Sequence, residues 1–345
     1  MSPAVTPTLV SAMLQEYGAI TKDALANYLP ANEPRRYLYD LLAEYPRRPG
    51  KMMRPSLCIA TARAFGARLA DAVPTAAAIE LLHNALLIHD DIEDGSTQRR
   101  GQPTLHALHG VPLAINAGDT LTLISLRPLV QNVGAIGPRL SLRILDETQR
   151  MARESAEGQA MELGWRRDNA TEVDEAGYLE MVLKKTCWLG TIYPSRVGAL
   201  IGTQGTIDLD PFIRFGFFLG AAFQIQDDLL NLVDDSDRYG KEADGDIWEG
   251  KRTLMLIRLL RAARPDERAH VAEILGRARE DRTAGEVSWI HQRMDAHGCV
   301  EYARAIAHGL AGAALHEYSR LYAGLPDSRD KRFIEGLVTW VFERT

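Results

Sequence analysis

The sequence predicts an all-α protein built as a large helical bundle, and three observations carry this prediction. Apolar residues recur at spacings of three and four, as in Ile79, Leu82 and Leu86, which is the period of an amphipathic helix. Long segments are rich in Ala and Leu, which favour helix, and most Gly and Pro residues lie between these segments. Alternating runs of β-branched residues, which would indicate strands, are not evident.

Each long segment is predicted to form a helix that is apolar around much of its circumference. In chain order the helices cover residues 76–94, 114–133, 139–163, 175–202, 212–236 and 251–263. The breaks between them are too short and too ordinary in composition to be interdomain linkers. We therefore expect residues 1–345 to form a single domain in which these helices pack against one another.

The composition excludes several classes of protein. The chain has 345 residues, 40 basic and 46 acidic side chains and a net charge of -6, whereas a general nucleic-acid binder carries a basic excess. The cysteines Cys58, Cys187 and Cys299 lie far apart, so neither a disulfide framework nor a cysteine zinc site is expected. The N-terminus lacks a signal-peptide pattern and the apolar runs are short for a transmembrane segment. A cytoplasmic location is the expectation.

The first acidic cluster ends an otherwise apolar predicted helix. Asp90, Asp91 and Asp94 lie within its last turn, and His83 shares the stripe of Asp90 and Asp94. An arbitrary motif of this kind is most often a solvated acidic turn. Here the carboxylates repel one another and oppose the helix dipole at the end of an apolar helix. A hard divalent cation that takes oxygen ligands, such as Mg²⁺, would neutralise them.

A second acidic cluster repeats this arrangement on a later helix. Gln224, Asp228, Asn231 and Asp235 share one helical face, with Asp227 beside them. If the fold brings both clusters together, they would form a metal-bridged site for an anion. Basic residues in loops and at helix ends would complete a diphosphate site; these are Lys51, Arg54, Arg99, Arg100, Lys184, Lys185, Lys241, Lys251 and Arg252.

The chain resembles the trans-isoprenyl diphosphate synthases of the polyprenyl synthetase family, and most of all the geranylgeranyl diphosphate synthases. The resemblance extends from about residue 37 to residue 253 and rests on motifs in the expected order. These are GKxxRP at 50–55, ExxH at 80–83, DDIED at 90–94, RRGxPTxH at 99–106, KT at 185–186, FQxxDD at 223–228 and GKxT at 250–253. It implies an antiparallel all-α bundle around a deep central cavity, and a homodimer.

The resemblance also implies a role for each matching residue. Asp90, Asp91, Asp94, Asp227 and Asp228 would hold about three Mg²⁺ ions once substrate is bound. The diphosphate of isopentenyl diphosphate would be bound by Lys51, Arg54, His83 and Arg100. The allylic diphosphate would be bound by Arg99, Lys185, Lys241 and Lys251, while Thr186 and Gln224 would face the reacting carbons. Pro49 and Asn231 depart from the usual pattern, and Asn231 would be a weaker ligand than an aspartate.

The implied reaction is the trans, head-to-tail condensation of isopentenyl diphosphate with an allylic diphosphate. Residues about one helical turn, or 5.4 Å, before Asp90 would form a floor that limits the length of the product. Ala85 and Leu86 leave that floor open, and Leu82 and Ile79 would close it deeper down, near twenty carbons. We therefore expect geranylgeranyl diphosphate as the main product. Farnesyl or longer polyprenyl diphosphates are the alternatives.

Two other functions are compatible with part of the pattern. A class I terpene cyclase also ionises a prenyl diphosphate at aspartate-rich helices, but it has no need for Lys51, Arg54 and Arg100 at a second diphosphate. A noncatalytic partner subunit of a synthase would be expected to lose ligands, whereas both acidic motifs are largely intact.

Overall fold

The computed structural model describes residues 7–232 and 244–342. Its α-helices, in chain order, are α1 (Pro7–Ala26), α2 (Asp40–Leu42), α3 (Glu44–Arg47), α4 (Met53–Ala64), α5 (Leu69–Asp94), α6 (Leu105–His109), α7 (Val111–Ile136), α8 (Pro138–Arg167), α9 (Glu175–Val182), α10 (Tyr193–Gly202), α11 (Pro211–Asn231), α12 (Gly245–Glu249), α13 (Leu254–Ala262), α14 (Pro265–Leu275), α15 (Ala284–Ala296), α16 (Cys299–Leu321) and α17 (Arg329–Phe342). Segments Arg35–Tyr39 and Leu183–Ile192 are π-helical, and Arg279–Asp281 is a short 3₁₀ helix.

The predicted all-α class is confirmed, with small differences in the bounds of the elements. Helices α5, α7 and α8 begin earlier than predicted, at Leu69, Val111 and Pro138 instead of residues 76, 114 and 139. The segment predicted as one helix over 175–202 is continuous, but its middle is the π-helix Leu183–Ile192. The sequence did not predict the two-residue strands β1 (Gln98–Arg99) and β2 (Gln102–Pro103), which pair antiparallel with Arg99 opposite Gln102.

The core surrounds helix α5 and helix α11. Helix α5 packs against α4 and α7, and α11 packs against the π-helix Leu183–Ile192 and against α16. The π-helix also packs against α8. This arrangement places the carboxyl ends of α5 and α11, where the two acidic clusters lie, on either side of one central cavity.

Helix α5 is also the one described helix that is long and apolar enough to cross a membrane. Within its most apolar stretch of 18 residues, 72% is buried inside the fold. Burial against α4 and α7 accounts for this apolar character, since a helix at the centre of a bundle is apolar on most sides.

Candidate active site

A cavity of about 570 Å³ lies between α5, α8, α11 and the segment that runs from α9 into the π-helix. Its deeper wall is apolar and is formed by Leu82, Leu86, Leu87, Leu163, Met181, Val182 and Leu189. Its polar mouth is formed by Arg54, His83, Asp90, Lys185, Asp227, Asp228, Asp246 and Lys251. The two acidic clusters, remote in sequence, therefore meet at the mouth of an apolar interior.

Arg99 binds two carboxylates of the first cluster at once. Its Nε donates to Asp91 Oδ1 at 2.7 Å, and its Nη2 donates to Asp90 Oδ2 at 3.1 Å. Burial opposes the charge of Arg99, but the carboxylates of Asp91 and Asp90 outweigh burial and raise its pKa well above the ordinary value. The hydroxyl of Tyr45 donates to the other oxygen of Asp91, whose side chain is fully buried. Both oxygens of Asp91 thus accept hydrogen bonds from the protein itself.

Asp94 is paired with two further cations. Arg166 Nη1 donates to Asp94 Oδ1 at 2.5 Å, and Lys251 Nζ donates to Asp94 Oδ2 at 2.9 Å. Burial raises the pKa of this carboxyl, but Lys251 and Lys185 outweigh burial, so its pKa is lowered. Asp94 is therefore a charged carboxylate between two cations.

The second cluster has neutral hydrogen-bond donors. Tyr178 donates to Asp228 Oδ2 at 3.0 Å, and Gln224 Nε2 donates to Asp228 Oδ1 at 2.6 Å. Burial, followed by the charges of Asp246 and Asp227, raises the pKa of Asp228 well above its ordinary value. A cation brought in by a ligand would relieve this repulsion.

Gln224 and Asn231 are held differently from each other. Thr186 Oγ1 donates to Gln224 Oε1 at 2.9 Å, and both side chains line the cavity. The amide oxygen of Asn231 instead accepts a hydrogen bond from the backbone N–H of Asp246 at 2.8 Å. Asn231 thus joins α11 to the start of α12 and does not line the cavity, whereas Asp246 does.

The π-helix carries Lys185 to the first cluster. Lys185 Nζ lies 3.4 Å from Asp90 Oδ1 and also contacts the carboxylate of Glu162. Burial opposes its charge, but Glu162 and Asp90 outweigh burial and raise its pKa. Helix α8 approaches this point closely because residue 158 is glycine, and a Cβ added there would overlap the backbone of Lys185. π-Helical turns of this kind are frequent at functional sites.

A second group of cations lies beside the first. Burial lowers the pKa of Arg54 to about 10. Burial also holds the pKa of His83 well below its ordinary value, and the nearby charges of Arg54 and Arg100 lower it further. The guanidinium of Arg100 lies against Gly50, where an added Cβ would be 3.1 Å away. Lys51 Nζ lies 5.9 Å from the centre of the Phe223 ring. The structure thus brings Arg54, His83 and Arg100 together, with His83 neutral.

Some residues of the site carry no motif in the sequence. Arg48 donates to the carbonyl oxygens of Pro103 at 2.7 Å and Arg99 at 3.2 Å, and its guanidinium lies 4.4 Å from the ring of Tyr45. It thereby fixes the hairpin that carries Arg99. Tyr45, Arg166 and Tyr178 were missed for the same reason, since each reaches its aspartate through the tertiary fold.

Several predicted residues are not among those that line the cavity: Lys51, Asp91, Asp94, Arg99, Arg100 and the floor residues Ile79 and Ala85. Lys241 lies outside the described residues. Ala85 is fully buried in a separate cluster with Ala114, Ala117 and Leu121, so the expectation that it forms the floor needs correction. At 100° per residue Ala85 points about 140° away from Asp90, whereas Leu86 points about 40° away. Leu86 and Leu82, the other two predicted floor residues, do line the cavity.

The carboxylates fit a hard divalent cation whose coordination is completed by a ligand. Asp90, Asp227, Asp228 and Asp246 present oxygen atoms to one cavity, and oxygen donors are what such cations prefer. Within the described residues, no His, Cys, Asp and Glu side chains come close enough to form a complete metal site alone. Mg²⁺ commonly binds through one or two carboxylates, water and substrate phosphates, and the donors here suit that arrangement.

A helical bundle with two facing aspartate clusters and surrounding cations above an apolar cavity defines an enzyme that handles an apolar diphosphate. The family model described as polyprenyl synthetase matches residues 35–293. The chain belongs to the polyprenyl synthetase family, and it is a trans-prenyltransferase.

Individual relatives agree with this assignment. A short chain isoprenyl diphosphate synthase from Methanothermobacter thermautotrophicus is 36% identical over 75% of this chain and 76% of its own length. The crystal structure of geranylgeranyl pyrophosphate synthetase from Pyrococcus horikoshii Ot3 superposes with a TM-score of 0.85 and 30% identity, covering 97% of this chain and 98% of that one. The crystal structure of geranylgeranyl pyrophosphate synthase from Corynebacterium glutamicum, complexed with isoprenyl diphosphate and magnesium, superposes with a TM-score of 0.84 and 25% identity. The match covers 96% of this chain and 99% of that one.

Proposed function

We propose that this prenyltransferase condenses isopentenyl diphosphate with allylic diphosphates and makes geranylgeranyl diphosphate as its main product. The observation that carries the proposal is the cavity, which has carboxylates and cations at its mouth and aliphatic side chains below. A diphosphate suits the mouth and a growing isoprenoid chain suits the interior. The narrower alternatives are a farnesyl or a longer polyprenyl product.

Both diphosphates have a proposed set of residues. Asp90, Asp94, Asp227 and Asp228 would hold Mg²⁺, about three ions with substrate bound, and this metal would supply Lewis-acid stabilisation of the leaving diphosphate. Asp91 would hold Mg²⁺ together with these aspartates and, through its hydrogen bond from Arg99 Nε, would also orient that guanidinium. Arg99, Lys185, Lys251 and Lys241 would bind the allylic diphosphate; Lys51, Arg54, His83 and Arg100 would bind that of isopentenyl diphosphate.

The chain's residues promote the condensation by charge and position. Cations around the departing diphosphate favour ionisation to an allylic cation, which the double bond of isopentenyl diphosphate then attacks. The neutral pair of Thr186 and Gln224 lies beside the cavity where this carbon chemistry would occur. Loss of a proton to the released diphosphate completes the product. The aliphatic wall keeps water from capturing the cation.

Leu86 is the residue proposed to set the product length. It lies on the cavity wall about one turn before Asp90. Replacing Leu86 by Phe should fill the cavity at that depth and shift the main product from geranylgeranyl to farnesyl diphosphate. Purified protein would be incubated with Mg²⁺, isopentenyl diphosphate and a series of allylic diphosphates, and the dephosphorylated products separated by chromatography.

Leu81→Phe is the matched control for this experiment. Leu81 is fully buried on the same helix but belongs to the cluster that faces α7 and does not line the cavity. The Leu81→Phe substitution should reduce the stability of the protein without shortening the product. If Leu86→Phe and the wild type give products of the same length, the proposed floor is wrong.

The same incubation tests the two rival functions. Condensation of isopentenyl diphosphate with an allylic diphosphate is expected from the proposed enzyme. Hydrocarbon formed from the allylic substrate alone would instead indicate a class I terpene cyclase, and absence of turnover would indicate a noncatalytic subunit.

A homodimer is proposed because α7 and α8 carry an apolar face that the described chain leaves exposed. Leu123 and Val130 are each 69% exposed, Leu142 is 65% exposed, and Leu126 and Val133 continue the same stripe of α7. A second copy of the chain would cover this face. Val130→Glu should give a monomer by light scattering if the proposal is correct. A single domain spanning residues 1–345 and a cytoplasmic location complete the proposal.

A further inference from the structure

The segment that carries Lys251 is held in place by two arginines that bind backbone carbonyl oxygens. This segment, residues 244–253, includes helix α12 and connects it to α13. The two arginines, Arg252 and Arg282, are together called the carbonyl clamp below. Arg282 lies in the C-terminal third of the chain, beyond every motif found in the sequence.

Arg282 ties the ends of two helices together. Its Nη1 donates to the carbonyl oxygens of Trp248 at 2.5 Å and Ile247 at 3.2 Å, at the end of α12. Its Nη2 donates to the carbonyl oxygens of Leu275 at 2.8 Å and Arg277 at 2.9 Å, at the end of α14. The last carbonyls of a helix lack intrahelical donors and carry partial negative charge, so one guanidinium satisfies both ends.

Arg252 anchors the same segment from the other side. Its Nη1 donates to Gly250 O at 2.5 Å, its Nε to Ala170 O at 2.9 Å and its Nη2 to Asn169 Oδ1 at 2.7 Å. The residue is only 2% exposed. It therefore joins the segment to the turn that follows α8, the helix that supplies Arg166 to Asp94.

Gly250 shows how closely the clamp lies to Lys251. Its φ of 71° is in the left-handed region, and a Cβ added there would be 3.2 Å and 3.3 Å from the two terminal nitrogens of Arg282. The next residue is Lys251, whose Nζ lies 2.9 Å from Asp94 and 2.6 Å from Glu249. Any change in the position of the Gly250 backbone moves the origin of the Lys251 side chain.

We infer that Arg282 is a positioning residue that sets the reach of Lys251 toward the first acidic cluster and the allylic diphosphate. The inference rests on the proposed role of Lys251 in binding that diphosphate. A planar fork that donates to four carbonyl oxygens fixes backbone position in a way that a single ammonium does not.

The test compares Arg282→Met, Arg282→Lys and a matched control, Arg277→Met, in the full-length protein. Arg277, which is half-buried in the same region, pairs with Glu286 at 2.6 Å. Arg282→Met should raise KM for the allylic diphosphate about tenfold, because a misplacement of about 1 Å costs up to ~100-fold. KM for isopentenyl diphosphate should stay unchanged. Arg282→Lys, which keeps the charge and is expected to fold, should show a smaller rise, and Arg277→Met none.

A double mutant separates positioning from a general loss of structure. With Lys251→Met already present, adding Arg282→Met should raise KM for the allylic diphosphate no further, since both changes act through one side chain. Equal rises in KM for both substrates, independent effects in the double mutant, or an unchanged KM in both Arg282 variants would overturn the inference. A wild-type protein that forms no condensation product would overturn the proposed function instead.

Discussion

The two acidic clusters differ in what surrounds them. In the first, Arg99 binds Asp90 and Asp91, while Arg166 and Lys251 bind Asp94. In the second, the hydrogen bonds to Asp228 come from the neutral groups of Tyr178 and Gln224. The first cluster is therefore stabilised by ion pairs with the protein. The second keeps a buried carboxyl close to other carboxyls, an arrangement that favours a cation supplied with the ligand.

The difference indicates separate tasks for clusters that look alike in sequence. Cations that already face the first cluster can turn toward a diphosphate with little movement, since Lys185 and Lys251 also line the cavity. In the second cluster, burial and the neighbouring charges of Asp246 and Asp227 raise the pKa of Asp228. Functional sites often hold such locally unfavourable arrangements, and relieving them lowers activity while leaving or raising stability.

Asp228→Asn is expected to give the largest effect on activity. It replaces one oxygen of a proposed metal ligand with an amide NH₂ group, so kcat should fall about 100-fold or more, equivalent to about 3 kcal/mol. Because the amide removes repulsion from Asp246 and Asp227, the free energy of unfolding should stay within about 1 kcal/mol of the wild type. Steady-state kinetics and urea unfolding would measure the two quantities.

Asp210→Asn, at the opposite end of the same helix, is the control for that variant. Its side chain is 82% exposed, and it should alter neither quantity. A strong loss of stability in Asp228→Asn would show that the second cluster is stabilised in the same way as the first.

Asp91→Asn should produce the opposite pattern, with stability as the main loss. Removing this charge leaves Arg99 buried without its principal partner, and breaking a buried pair costs about 3 kcal/mol. Tyr45→Phe removes a hydrogen bond to the same carboxylate and should cost about 1 kcal/mol. Urea unfolding of both variants would check the ranking. Wild-type stability of Asp91→Asn would remove the proposed contrast between the clusters.

The sequence predicts the helices well because their apolar faces are long and periodic. Helix α11, observed over Pro211–Asn231, begins within one residue of its predicted start at 212. The π-helix Leu183–Ile192 was not predicted, since its pattern of apolar residues resembles that of an α-helix and its geometry depends on packing against α8 and α11.

The sequence predicted only those site residues that belong to local motifs with a recognisable spacing. The aspartates of both clusters stand in recognisable motifs, whereas Arg48, Arg166 and Arg282 act on residues more than 30 positions away. The orientation of Ala85 shows a different limit. Ala85 was predicted to lie on the cavity floor because it is about one helical turn from Asp90 along the chain. Its angular position around α5 instead directs the side chain toward α7.

Gly158→Ala tests how Lys185 is positioned beside the first cluster. Its effect on stability should be smaller than that of Asp91→Asn. The added methyl would overlap backbone atoms of Lys185, so α8 or the π-helix must move at a cost of about 2 kcal/mol. Displacement of Lys185 from Asp90 and Glu162 should also lower activity. Gly164→Ala, on the same helix with open space around the added methyl, is the control and should be neutral or slightly stabilising. Equal stabilities of the two variants would contradict the close approach.

Substitution of His291 should have the smallest effect of these variants, because its charge lies near the second cluster but outside the cavity. Its Nδ1 lies 2.9 Å from Asp244 Oδ1 and its Nε2 lies 3.9 Å from Asp295, and Asp244 begins the turn that Asn231 joins to α11. The close carboxylate of Asp244 raises the pKa of His291. Its contribution to stability is therefore complete below the unfolded pKa of about 6.5 and is lost as pH rises through the folded pKa. When the pH rises from about 6 to 8, the free energy of unfolding of the wild type should fall by up to about 1 kcal/mol more than that of His291→Gln. Thermal unfolding at both pH values measures this, with the exposed His316→Gln as control. An identical pH dependence in His291→Gln and the wild type would show that the second cluster is held without help from this ion pair.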